Sequence, residues 1–318
     1  MSQHQSDPPA VFVAAHDAEA YRDLITAELG GAVPVDIACS RSAVTAGYQG
    51  QPIILGSPDY LTDLLETRPP VQWVQSTWAG VAPLLKLNFR DYQLTGVKGI
   101  FGPQMAEYVF SYLLAHEIGI ARRFREQQAH HWDDVESGSL RGKVLGIMGT
   151  GSIGRYLAKT ALAFAMVPIG FNTRGASVEP FDEVYCRRSI QPFLARCDHL
   201  VSILPDTPAT NNLLDAEAFA RMKDTAVLIN AGRGNLIDEK ALCRALAEQQ
   251  LAGAVLDVFR QEPLPPDSPL WDTPELKITG HIAAVSQPRD IVRLFAENYR
   301  LFNAGNELRY LVDFARGY

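Results

Sequence analysis

Residues 143–166 read KVLGIMGTGSIGRYLAKTALAFAM, and this stretch decides the fold. Val144–Met148 is an apolar run of strand length, Gly149-Thr150-Gly151-Ser152-Ile153-Gly154 follows it, and apolar residues then recur at helical spacing. Between a strand and a helix each glycine has a physical task. Gly149 permits a tight turn, Gly151 lets the backbone approach a diphosphate, and Gly154 lets the helix lie close on the strand. The helix N-terminus adds unpaired N–H groups and partial positive charge, so the segment predicts a bound dinucleotide. The glycine spacing alone would fit an ordinary loop. Its flanks give it weight.

Working outward, the second strand of this unit should end near Phe171. There an NAD site usually carries an acid for the ribose 2′-hydroxyl. Asn172-Thr173-Arg174 stands there instead. A carboxylate would repel a 2′-phosphate, whereas a guanidinium can pair with it. NADP(H) is therefore the expected cofactor and NAD(H) the possible one, read by Arg174 and Asn172; the plainer alternative leaves Arg174 a solvated surface residue. Strand–helix alternation restarts after Gly138 and runs to about Ile278. Before it, residues 105–128 read as one helix-like stretch, and Gly102-Pro103 punctuates the chain as a hinge. Strands are expected at 11–15, 33–38, 52–55 and 71–75, with a helix over 18–30, so the first third is a small α/β unit of its own.

Three segments share one form, an apolar strand and then charge: TAVLINAGRG with Arg233, GAVLDVFRQEP with Asp257 and Glu262, and LKITGHIAA with His281. In an open parallel sheet, ligands gather at the carboxyl ends of the strands, so these residues can converge. Together they suit reduction of a 2-oxo acid. Arg233 can hold a carboxylate and polarise the ketone oxygen. His281 can protonate that oxygen, while Glu262 orients the ring and favours imidazolium. Asp257 can accept from a nicotinamide amide. Singly, a lone His or an Arg–Glu pair is more often structural, and His4, His16, His116, His130, His131 and His199 are given structural roles.

The totals set limits. A chain of 318 residues favours about two domains. Net charge −7, from 29 basic and 36 acidic residues, leaves no broad positive field for nucleic acid or an anionic membrane. No apolar run reaches the roughly 20 residues of a membrane span. MSQHQSDPPA lacks a basic–apolar signal pattern and reads as a polar arm, making a cytoplasmic location the default. Cys39, Cys186, Cys197 and Cys243 show no metal-ligand spacing and are expected as buried or half-buried free thiols, with no metal site.

GTGSIG, PDTPAT at 205–210, NAGRG, LDVF with EP, and GHIAA occur in the order found in the D-isomer-specific 2-hydroxyacid dehydrogenase family, which the chain resembles from Val71 onward. QMAEY, EPLPPDSPLW and the terminal ARGY resemble its bacterial, NADPH-preferring glyoxylate/hydroxypyruvate reductases. The resemblance implies two doubly wound parallel-sheet α/β domains. A Rossmann cofactor domain, 103–285, would be inserted into a flavodoxin-like substrate domain, 1–102 plus 286–318. It further implies Arg233 as substrate-binding arginine, Glu262 as acid partner and His281 as proton donor. The loop QSTWAGV would hold the substrate carboxylate at Ala79 and Gly80, and Leu204, Pro205, Thr210, Ala231 and Gly232 would join the glycine-rich turn, Asp257 and His281 around the cofactor. A homodimer joined through the cofactor domains is implied, in which Trp132 could reach a partner's site, although a plain interface or core role suits it better.

Two positions depart from the family pattern. Ala82 replaces a common acidic residue, and the bulk of Trp78 points to a narrow pocket for small acids. Rivals within the fold are D-lactate, phosphoglycerate, phosphite and formate dehydrogenases. Glu262 argues against the formate enzymes, and the chain length against the long phosphoglycerate enzymes. A non-catalytic dinucleotide-sensing protein is the rival from another class.

Overall fold

The computed structural model describes residues 7–315. The first six residues of the expected polar arm, and residues 316–318 of ARGY, lie outside the described residues. The chain divides into two compact units, Met1–Ile100 with Ser286–Tyr318, and Phe101–Val285.

Unit 1 runs β1 (Val11–Ala14), α1 (Ala18–Leu29), β2 (Val35–Ala38), α2 (Arg41–Gly47), β3 (Ile53–Gly56), α3 (Pro58–Glu66), β4 (Trp73–Ser76), α4 (Ala82–Leu85) and β5 (Gln93–Thr95). These strands are parallel in the order β2-β1-β3-β4-β5. That is the flavodoxin-like order. The inner strands β1, β3 and β4 are buried at every position, which is why they read as unbroken apolar runs. The sequence reading did not resolve α2, α3, α4 or β5. Four residues in α4 and three in β5 are too few to carry a period.

Unit 2 opens with α5 (Gly102–Ile118) and α6 (Ile120–Gln128). The single helix expected over 105–128 is broken at Gly119, whose left-handed φ of 69° ends α5 and redirects the chain. Then come β6 (Val144–Met148), α7 (Ser152–Ala163), β7 (Val167–Phe171), β8 (Glu183–Tyr185), α8 (Ile190–Arg196), β9 (His199–Ser202), α9 (Ala216–Arg221), β10 (Val227–Asn230), α10 (Glu239–Ala247), β11 (Gly253–Leu256) and β12 (Leu276–Ile278). The parallel sheet has the order β12-β11-β10-β9-β6-β7-β8, so its direction of growth reverses between β6 and β9. Apolar clusters cover both faces. One gathers Phe193, Phe219 and Leu242, the other Val109, Leu113 and Leu157. This is the doubly wound arrangement with a topological switch point beside β6.

Unit 1 resumes with α11 (Pro288–Asn303), which packs on α1. Its Phe295 and Phe302 stack on the buried Trp73 of β4 at 5.1 and 5.7 Å. The chain then returns along β5 in the antiparallel sense, Gly96 N donating to Tyr310 O at 3.0 Å and Val312 N to Leu94 O at 2.8 Å. Of the four cysteines, Cys39 is exposed, against expectation, because it lies just past the C-terminal end of the edge strand β2. Among the described residues no helix is long and apolar enough to cross a membrane.

Candidate active site

β6 enters the glycine-rich turn at Gly149, whose φ of +115° is one that side-chain-bearing residues rarely adopt. A Cβ on Gly154 would lie 1.9 Å from the Gly149 carbonyl oxygen, so the first turn of α7 rests directly on the turn's backbone. A Cβ on Gly151 would meet nothing within 4 Å. Gly151 is also the N-cap of α7, and no side chain caps that helix. The first-turn N–H groups at Ser152 and Ile153 have no intrahelical acceptor by geometry and face that open approach. Thr150 stands between the glycines and accepts from Asn172 Nδ2 at 3.2 Å. Open space, free donors and a helix dipole fit a diphosphate.

Asn172, expected beside Arg174 as a reader of the 2′-phosphate, is bonded within its own loop and to the glycine-rich turn. Its Oδ1 accepts from the backbone N–H of Arg174 at 3.1 Å and of Gly175 at 2.7 Å. Its Nδ2 donates to Thr150 and, at 3.1 Å, to Ala176 O. With both donors and both acceptor positions committed, Asn172 staples the loop after β7 to the glycine-rich turn. Thr173 and Arg174 on that loop are exposed, and the Arg174 guanidinium has no partner among the described residues. After β9, Thr210 Oγ1 donates to Pro205 O at 2.9 Å and accepts from Thr207 N at 3.0 Å, closing the 205–210 loop on itself. Leu204 is half-buried and Pro205 exposed.

The turn after β10 is set by a fully buried amide. Asn230 Nδ2 donates to Arg233 O at 3.0 Å, and Asn230 Oδ1 accepts from Gly232 N at 3.2 Å. A Cβ on Gly232 would lie 2.8 Å from the Leu204 backbone, so the buried Ala231-Gly232 step lies directly against the 204 loop. Arg233 is half-buried, and its Nη1 donates to Gly232 O at 2.6 Å. No bond joins it to Glu262 or His281 among the described residues.

The structure does bring Glu262 and His281 together. His281 Nδ1 lies 2.7 Å from Glu262 Oε2, and Glu262 Oε1 accepts from Phe259 N at 2.9 Å. With Nδ1 held by the carboxylate, Nε2 has no partner among the described residues and sits in a half-exposed ring. His281 itself has a left-handed φ of 58°, a strained value for a residue with a Cβ, and its N–H donates to Asp257 O at 2.8 Å. The Asp257 side chain supports that strained turn. It accepts from Thr279 Oγ1 at 2.6 Å, Ile282 N at 2.8 Å and Ala283 N at 2.9 Å, and the residue is 1% exposed. Oδ1 thus accepts two hydrogen bonds and Oδ2 one. Tyr108 of α5 donates to Thr279 Oγ1 at 2.7 Å, and burial pushes its phenol above the usual range. Sequence reasoning missed Asn230, Thr279 and Tyr108. Asn230 and Thr279 lie inside the strand-end segments TAVLINAGRG and LKITGHIAA, where an uncharged polar residue at a buried edge was a usable signal. Phe259, Glu262, Leu264, Trp271, Ile278 and His281 are among the residues that line a cavity of about 550 Å³ within unit 2.

Unit 1 carries the loop after β4. Ser76 Oγ accepts from Trp78 N at 3.0 Å and donates to Trp78 O at 2.9 Å. The backbone N–H groups of Ala79 and Gly80 have no acceptor among the described residues. Ala82 opens the one-turn α4. Trp132, in unit 2, is 87% exposed, which removes the core reading of that side chain.

A strand, a GxGxxG turn and a helix at the switch point, with a histidine–carboxylate pair on neighbouring strand ends, are the features of a dinucleotide-binding oxidoreductase domain. The comparisons agree. Residues 110–283, more than half of the chain, match the model of the "D-isomer specific 2-hydroxyacid dehydrogenase, NAD binding domain". A D-isomer specific 2-hydroxyacid dehydrogenase family protein from Aeromonas salmonicida is 39% identical with a TM-score of 0.91, over 96% of this chain and 99% of that one. An NADPH-dependent glyoxylate/hydroxypyruvate reductase from Sinorhizobium meliloti, solved with NADP and sulfate, is 29% identical with a TM-score of 0.83, over 98% of this chain and 100% of that one. A D-isomer specific 2-hydroxyacid dehydrogenase from Xanthobacter autotrophicus, solved with NADPH, is 28% identical with a TM-score of 0.83, also over 98% and 100%. The chain belongs to the D-isomer specific 2-hydroxyacid dehydrogenase family, a family of NAD(P)-dependent oxidoreductases.

Proposed function

We propose that this protein reduces a small 2-oxo acid of the glyoxylate or hydroxypyruvate kind to the D-2-hydroxy acid, with NADPH preferred over NADH. The observation that carries this reading is the 2.7 Å contact between His281 Nδ1 and Glu262, which leaves Nε2 free to protonate a substrate oxygen. The reduced nicotinamide supplies the hydride. Arg233 holds the substrate carboxylate and polarises the ketone, the Ala79 and Gly80 N–H groups bind the carboxylate, and the turn from Gly149 to Gly154 holds the cofactor's diphosphate. Asp257 keeps the His281 turn in its strained form and offers Oδ2 to the nicotinamide amide. The unpaired Arg174 supports a 2′-phosphate at the end of β7, in line with the NADP-bound Sinorhizobium protein.

Units 103–285 and 1–102 with 286–318 serve as cofactor and substrate domains in this reading, in a cytoplasmic homodimer. Support for the dimer comes from α6, which buries none of its residues and exposes Phe124, and from the exposed Trp132 just after it. Sedimentation at micromolar concentration checks it. The 550 Å³ cavity beside His281 favours a second reading, a 2-oxo acid with an apolar side chain. Oxidation of NADPH and NADH followed at 340 nm with glyoxylate, hydroxypyruvate, pyruvate and phenylpyruvate decides between the two. Fast NADPH oxidation with the two small acids supports the first reading. Preference for phenylpyruvate supports the second. No turnover with any acid despite tight cofactor binding would replace both with a dinucleotide-sensing role.

A further inference from the structure

Unit 1 holds a polar network that the reaction itself does not use. Gln75, Thr95 and Asn298 are each fully buried beside Trp73, on the face of β4 that α11 packs against, and Gln75 stands near the end of β4 just before the loop that carries Ala79 and Gly80. Burying so many amide and hydroxyl groups costs stability unless all are paired. Gln75 Nε2 donates to Ser76 O at 2.9 Å, Gly96 O at 3.2 Å and Thr95 O at 3.3 Å, while Gln75 Oε1 accepts from Thr95 Oγ1 at 2.8 Å. Thr95 Oγ1 in turn accepts from Trp73 Nε1 at 2.8 Å, which fixes the direction of its own hydrogen. Asn298 donates to Arg309 O at 3.0 Å and accepts from Arg309 N at 2.8 Å, with a long 3.5 Å contact to Gln75 Oε1.

The consequence is local and directional. Gln75 grips the carbonyl of Ser76, and the N–H of the same peptide, that of Thr77, donates to Gly56 O at 3.0 Å. Both ends of that peptide plane are thereby pinned. Ser76 Oγ then clamps the next residue at both its N–H and its carbonyl. Ala79 and Gly80 follow at once, with their N–H groups free. We propose that Gln75 is a positioning residue for substrate, oriented by Thr95, that sets the direction of the Ala79 and Gly80 N–H groups and so determines how tightly a substrate carboxylate is held. This rests on the 2-oxo acid reading above. A carboxylate is carried unchanged from substrate to transition state, so a misaligned loop weakens both equally and should appear in KM rather than kcat.

The test compares Gln75→Met with Thr95→Val. The first removes the grip. The second keeps the Gln75 carbonyl contacts but frees its orientation, and it guards against a poorly folding Gln75 variant. With the wild type's best 2-oxo acid and NADPH, both variants should raise KM by about tenfold for Met and threefold for Val. The inhibition constant for oxalate should rise in parallel, while kcat and the KM for NADPH stay within twofold. Lower melting temperatures with unchanged KM and oxalate inhibition would overturn the proposal and leave a purely structural network. A fall in kcat or in cofactor affinity would overturn it as well. If wild type reduces no 2-oxo acid and binds no oxalate, the functional reading fails and the positioning role with it; active wild type with unmoved variants defeats the positioning role alone.

Discussion

Two glycines in one turn should fail in different ways when given a methyl group. A Cβ on Gly154 would lie 1.9 Å from Gly149 O, against the 3.0 Å below which real contacts essentially never occur, so α7 or the turn must move by at least about 1.1 Å. Overpacking of this sort costs about 1–3 kcal/mol. For a domain of this size that lowers the melting temperature by roughly 2–12 °C. A Cβ on Gly151 meets nothing, and the residue's φ of −74° suits alanine. Its two stability terms, a poorer N-cap and a stiffer unfolded chain, are each about 0.5–1 kcal/mol and opposite in sign. Gly151→Ala should therefore melt like wild type. The methyl group would stand in the diphosphate's approach, though, and displacing one or two charge-assisted hydrogen bonds costs about 1.5–3 kcal/mol. That is roughly a ten- to hundredfold rise in Kd for NADPH. Thermal melts of the apoprotein and titration calorimetry with NADPH give both quantities. Gly151→Ala with wild-type affinity, or Gly154→Ala with a wild-type melt, would refute the division of tasks between the two glycines.

Other perturbations have equally definite outcomes. Glu262→Gln can keep an acceptor for Phe259 N or for His281 Nδ1 but not both, so kcat should fall by about ten- to a hundredfold with NADPH affinity unchanged; steady-state kinetics with calorimetry checks it. Arg174→Ala should reduce the NADPH/NADH preference about tenfold without altering stability, since the guanidinium has no partner to lose, and paired kcat/KM measurements decide it. Burial pushes the His199 imidazole down to about 4, against the opposing pull of Glu117 at 3.0 Å. The unfolded chain takes up a proton near pH 6.5 that the folded state refuses, so His199 favours folding fully above that pH and progressively less as pH falls toward 4. The loss should be about 2 kcal/mol at pH 5, seen as a lower urea midpoint than at pH 7. His199→Gln should flatten this slope, leaving the part due to His116, which burial also lowers.

The fold was legible where long buried runs met glycine, as at residues 143–166, because a parallel strand covered on both faces cannot hide its composition. The pairing of His281 with Glu262 was legible from strand ends alone. The bonds of Asn172 were not legible, because its side chain, unlike a charged one, can satisfy itself on its own loop, and nothing in a one-letter string tells a reader from a staple. The role of Gln75 within QSTWAGV was not legible, since its partners Thr95 and Asn298 lie 20 and 223 residues away. The break at Gly119 was equally hidden: a glycine within a helical pattern is tolerated or terminal depending on packing that a single sequence does not reveal.

The split composition of unit 1 bears on how the chain is made. Its sheet is encoded early, yet Trp73 finds its stacking partners Phe295 and Phe302 only once α11 exists, more than two hundred residues later. Unit 2 is contiguous and can close as soon as it leaves the ribosome, whereas the earlier strands must wait with their apolar faces uncovered. Contacts of such sequence separation are slow to form, so the first third of the molecule should be the last to mature and the part most dependent on chaperones during synthesis.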